Sequence, residues 1–119
     1  MLSPVLISLV TLSVTCWTLP IHAEITFDKY ETFKNDEQFG VYLDGVSAGF
    51  AQANVDLYLS DQPRLYCSPP KLGLNRKNLL QILESYIAKP NVQAALSRLP
   101  DTYVELMLLR ALKNVFPCK

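Results

Sequence analysis

The chain has 119 residues, with 11 acidic and 11 basic side chains for a net charge of zero. That length holds one domain, and nucleic acid is not an expected partner, because the basic residues are spread along the second half of the chain and not clustered. A single histidine and three cysteines narrow the chemistry further.

From Leu2 to Leu19 the sequence carries no charged side chain, and Pro20, His22 and Ala23 lead into abruptly polar sequence. This is the outline of a secretory signal peptide over residues 1–23, with Ile21 and Ala23 at the minus-three and minus-one positions and cleavage after Ala23. The expected destination is extracytoplasmic, with no membrane contact once the signal is removed. An uncleaved anchor is the competing reading, since about 18 apolar residues just span a bilayer. Lipidation at Cys16 fits less well, because Ser13-Val14-Thr15 lacks the small residue expected beside a lipidated cysteine.

Cleavage would remove 23 of the 119 residues and leave 96. Cys16 and His22 would leave with the signal, so that Cys67 and Cys118 have only each other to pair with. An oxidising compartment favours that bond over two buried thiols. It would close a loop of about 50 residues and stabilise the fold by about 4 kcal/mol on the chain-entropy view.

The polar stretch 24–35, with Phe27, Tyr30 and Phe33, predicts an extended or short helical lead-in. Phe39, Tyr42, Val46, Phe50, Ala53 and Leu57 then recur at steps of three and four, predicting a helix from about Asp36 to Ser60 with Asn35 as its cap. Gly40, Gly45 and Gly49 lie inside it, each costing about 1 kcal/mol against alanine. Close approach of a second helix at Gly45 and Gly49 would offset that cost, and contact with a second copy in a homodimer is the alternative.

Asp61-Gln62-Pro63 ends this helix, and a loop carrying Cys67 runs to Asn75, which caps the next. Leu79, Ile82, Leu83, Tyr86 and Ile87 form the inner face of that helix up to Pro90. A short helix over Asn91–Leu99 and a last one over about Asp101–Val115 complete an all-α, four-helix domain at 36–119 with one disulfide. Residues 24–61 carry eight acidic side chains against two lysines, net −6, whereas residues 62–119 carry nine basic against three acidic, net +6. The two halves should attract each other, within the chain or between copies.

Without His22 the mature chain cannot build a Ser-His-Asp or Cys-His site, or a histidine metal site. No glycine-rich phosphate loop is present either. An acid pair drawn from Asp44, Asp56, Glu84 and Glu105 is formally open, but scattered helical carboxylates usually face solvent. No catalytic, metal-binding or cofactor-binding residue is assigned, and the chain reads as a binder.

Phe39-Gly40-Val41-Tyr42, Gly45, Gly49-Phe50, Cys67-Ser68-Pro69, Tyr86-Ile87, Ala111-Leu112 and Phe116-Pro117-Cys118 together resemble the Rap/Tai immunity proteins of type VI secretion amidase effectors. The resemblance covers about residues 36–118. It implies a small helical, disulfide-bonded periplasmic protein, often a homodimer, that occludes the active site of a peptidoglycan amidase effector. By position, it also implies that the loop at Arg98, Pro100, Asp101 and Thr102 contacts the toxin. The competing function is a small disulfide-bonded periplasmic helical chaperone or acid-stress protein, which would bind many clients.

Overall fold

The computed structural model describes residues 24–119, so Cys16, His22 and the expected signal peptide lie outside the described residues. Five helices are present among them: α1 (Phe27–Phe33), α2 (Glu37–Leu59), α3 (Arg76–Ile87), α4 (Pro90–Arg98) and α5 (Val104–Val115). The domain is all-α, and Cys67 is bonded to Cys118 with a Cα–Cα distance of 5.0 Å.

Residues 24–35 hold an extended Thr26 and the short helix α1, which packs on the rest of the domain. Tyr30 of α1 is 2% exposed and meets Phe39 of α2 edge to face at 5.7 Å, while Phe39 stacks on Tyr42 at 6.2 Å. Tyr30, with Phe27 partly buried beside it, thus joins this short helix to the core. Ahead of α1 the backbone is extended and pairs with the segment before α5. Phe27 N donates to Thr102 O, Val104 N donates to Ile25 O (2.8 Å each), and Asp28 N donates to Pro100 O at 3.0 Å.

The N-cap of α2 is Asp36, not the expected Asn35, and its carboxylate accepts from Gln38 N at 2.8 Å. At the other end Asp61 adopts φ 54, Asp61 N donates to Tyr58 O and Gln62 N donates to Leu57 O. This paired closure satisfies two of the last carbonyls of α2, and a left-handed residue is its geometric requirement. Pro63 then prevents continuation.

Asn75 caps α3 as its position predicts, its side chain accepting from Asn78 N at 2.9 Å. Pro90 does not merely stop α3. It occupies the first turn of α4, where its missing N–H costs nothing. α3 packs chiefly against α5 and α2. Leu43, Leu79, Leu83, Val104, Leu108 and Leu112 are fully buried at this three-helix contact. Burying each such side chain is worth about 1.5–3 kcal/mol, which makes this cluster the main support of the fold.

Asp44 of α2 and Arg76 of α3 form an ion pair at 2.9 Å, joining the acidic and basic halves. Beside it, a methyl group at Gly40 would overlap the Arg76 side chain. The close approach expected in α2 therefore occurs at Gly40, and the approaching group is a side chain. At Gly45 and Gly49 nothing among the described residues lies within 4 Å of an added Cβ. Among the described residues, no other helix packs on these two glycines.

Candidate binding surfaces

The segment Arg98–Thr102 joins α4 to α5 as an exposed ledge, with Leu99 59% exposed. Its conformation is fixed from both sides. Thr102 N and the Thr102 hydroxyl both donate to Leu99 O, at 3.0 and 2.8 Å, while the carbonyls of Thr102 and Pro100 accept from Phe27 N and Asp28 N in the first turn of α1. A loop so pinned loses little conformational entropy on binding. Sequence reasoning named this loop but gave no sign that residues 24–28 brace it.

Next to the ledge lies a groove of about 320 Å³, floored by Val92, Leu96 and Met107 and flanked by Tyr86, Leu99 and Leu106. Leu106 is 45% exposed, and Arg110 stands at the margin. Ledge and groove make a continuous apolar surface with a cationic edge. Arg98 and Asp101 are exposed on the ledge, so both are available to a partner.

The outward side of α2 is a second surface. Val41, Gly45, Ala48, Gln52, Val55 and Leu59 follow one another at steps of three and four and are all exposed. Helix faces turned to water normally carry charge, whereas this row has none. Gly45 thus lies in, and Gly49 beside, a stripe that is uncovered among the described residues.

Near Glu24 the polar groups are less well matched. The Tyr42 hydroxyl and Glu105 Oε2 are buried without a well-formed hydrogen bond, although they neighbour one another. Burial pushes the Tyr42 phenol far up, and the adjacent Glu105 carboxylate pushes it the same way. Tyr103 is also raised, by the neighbouring Glu24 carboxylate.

Asp44 pairs with Arg76, while Asp56, Glu84 and Glu105 lie on α2, α3 and α5 respectively. Among the described residues no three His, Cys, Asp or Glu side chains are grouped to hold a metal ion. No described helix is long and apolar enough to cross a membrane. Neither a protein-family model nor a curated protein nor a solved structure matches the chain.

Proposed function

We propose that the protein is a periplasmic immunity protein that binds a type VI secretion peptidoglycan amidase and occludes its active site. The observation that carries this reading is the braced, exposed ledge Arg98–Thr102 beside an apolar groove. A protruding loop held rigid from both sides is suited to enter a cleft, because little ordering entropy opposes its insertion. Leu99 would be the apolar anchor, with Arg98, Pro100, Asp101 and Thr102 around it. The inhibitor itself needs no catalytic group, cofactor or metal. The disulfide fits an oxidising compartment, which is where peptidoglycan is cleaved. The uncharged outer stripe of α2, with Gly45 and Gly49, would serve as the contact of a homodimer.

The test is co-expression of the full chain with a panel of periplasm-targeted type VI amidases. Protection from lysis and a stable complex with one of them are expected, and Leu99→Asp should weaken both by at least about tenfold. Absence of protection and of any complex across the panel overturns the proposal. The exposed apolar residues of α2 favour one other reading, a periplasmic chaperone. In that case many unfolded clients, and no folded amidase, would be captured, and mutation of Leu99 would have little effect.

A further inference from the structure

The extended chain ahead of α1 meets the entry to α5 in antiparallel register. Thr26 is bridged to Tyr103, with Phe27 N donating to Thr102 O and Val104 N donating to Ile25 O, each at 2.8 Å. Two steps back along the first segment and two forward along the second, this register brings Glu24 to the side of Glu105, in the first turn of α5. Directly opposed residues of such a pair lie about 4.5–5.5 Å apart between Cα atoms. Glu24 and Glu105 are each one residue from the Ile25–Val104 bond, so the turn of α5 away from the register leaves them within reach of a glutamate side chain.

Polar atoms at this junction lack partners. Glu105 Oε2 and the Tyr42 hydroxyl are both buried, and neither makes a hydrogen bond among the described residues. Tyr42 projects from α2 and neighbours both Glu105 and the backbone of Ile25, so three segments converge on the same spot. The two ion pairs among the described residues, Lys34 with Glu31 and Arg76 with Asp44, lie elsewhere. Glu24 and Asp101 add further negative charge beside Tyr103. A buried carboxylate oxygen without a donor is an arrangement that native proteins rarely leave. A cation is missing from it.

The chain can supply that cation itself. Residues 1–23 have the outline of a signal peptide with cleavage after Ala23. Hydrolysis of the Ala23–Glu24 peptide bond would leave a carboxylate on Ala23 and an α-ammonium on Glu24. An α-amino group ordinarily titrates near 8 and is largely charged at neutral pH. Its nitrogen is one residue from Ile25, about 3.6 Å of chain at most, which puts it beside the Tyr42 hydroxyl and within reach of Glu105. Before hydrolysis the same nitrogen is a neutral amide with a single N–H.

We propose that signal removal completes the fold: the new α-ammonium of Glu24 donates to Glu105 Oε2 and to the Tyr42 hydroxyl, forming a part-buried ion pair that the precursor cannot make. The proposal rests on cleavage after Ala23 and is independent of what the ledge binds. The pair fastens the extended segment to the entry of α5, and residues of that segment and of the first turn of α1 brace the ledge. Processing thus stiffens the ledge along with the N-terminus. The precursor lacks the pair and is the less stable form, which suits a chain that must stay unfolded until it has crossed a membrane.

The test uses the full chain, secreted through its own signal into the periplasm of a bacterial host and purified. Its intact mass should be that of residues 24–119 with one disulfide; any other start overturns the cleavage reading and the proposal with it, and leaves the immunity reading untouched. Insertion of Gly-Ser between Ala23 and Glu24 then displaces the ammonium from Glu105, and thermal unfolding is compared with and without the insertion, in the presence of Glu105 and beside Glu105→Gln. The insertion should lower Tm by about 5 °C where Glu105 is present, the shift expected for loss of one part-buried ion pair in a domain of this size. Beside Glu105→Gln it should lower Tm by no more than about 2 °C, because the neutral amide forms no ion pair. The substitution keeps the shape of the side chain and is present in both arms of that comparison, so its own effect on stability cancels. An insertion that costs the same with and without Glu105→Gln overturns the proposal, as does an insertion that leaves Tm unchanged in both.

Discussion

Tyr30 is the side chain on which the N-terminal segment depends, and it brings a defect into the core. The ring is buried against Phe39, yet the hydroxyl is buried with no partner. Burial, with the carboxylates of Glu84 and Glu31 adding to it, raises the phenol far above its ordinary value near 10. The sign of the pH dependence follows from comparing the two states. Below about pH 10 the phenol is neutral both folded and unfolded, and its packing contribution is complete. Above it the unfolded chain loses the proton while the folded one retains it, so stability falls as pH rises. Tyr30→Phe keeps the ring and removes the unmatched hydroxyl, and is expected to stabilise the fold by about 1 kcal/mol at neutral pH. The decline in Tm above pH 10, followed by circular dichroism, should also become shallower. An equal or steeper decline would show that Tyr30 does not carry the alkaline sensitivity.

At the scale of elements, α2 shows both what periodicity reveals and what it leaves out. The steps of three and four located the helix and its core face, because burial of Phe39 and Leu43 imposes that period. The cap was misplaced by one residue, since Asn35 and Asp36 are equally good acceptors and only the backbone turn selects between them. α1 was legible only as an ambiguous lead-in. Seven residues carry too few apolar positions to show a period, and their order comes from Tyr30 docking on a distant helix. The ledge could be named from its place between two helices, whereas its bracing depends on contacts between remote segments.

The glycines of α2 convert this difference into a measurement. Gly45→Ala and Gly49→Ala add a methyl group to open space and should each stabilise the monomer by about 1 kcal/mol. Gly40→Ala offers the same gain in helix propensity but displaces Arg76 and with it the ion pair to Asp44. That pair is half exposed and worth about 0.5–1 kcal/mol, so Gly40→Ala should be close to neutral. In an Arg76→Ala background the obstacle is gone, and Gly40→Ala should then recover the full gain. Equilibrium urea unfolding of the four single variants and of the double variant measures each term. Equal stabilisation by all three glycine substitutions would mean that Arg76 does not restrain Gly40.

Over the whole molecule, the fold is closed by joining its ends to its middle. The chain ahead of α1 pairs with the entry to α5, and the residues after α5 are tied to the loop after α2. The second connection has two parts. Cys67 N donates to Phe116 O at 2.8 Å, and the disulfide spans a sequence separation of 51 residues. Phe116 packs against the core, so the tail contributes apolar contact as well as a covalent bond. Replacing both cysteines by serine removes the constraint on the unfolded chain, and the expected loss is about 4 kcal/mol. For a domain of this size that lowers Tm by about 20 °C and consumes a large part of a typical net stability. The loss should not be uniform. Leu79, Leu83, Leu108 and Leu112 are fully buried between helices, whereas the Cys67 loop is held by the disulfide, the Cys67–Phe116 backbone bond, Asn54 and the burial of Tyr66. Hydrogen exchange of the double-serine variant should therefore accelerate first at Leu65 and Cys67, with the amides of α3 and α5 slowing the solvent until global unfolding. Uniform acceleration across α3 and α5 would place the disulfide's contribution in the helical core, and not in the loop that it closes.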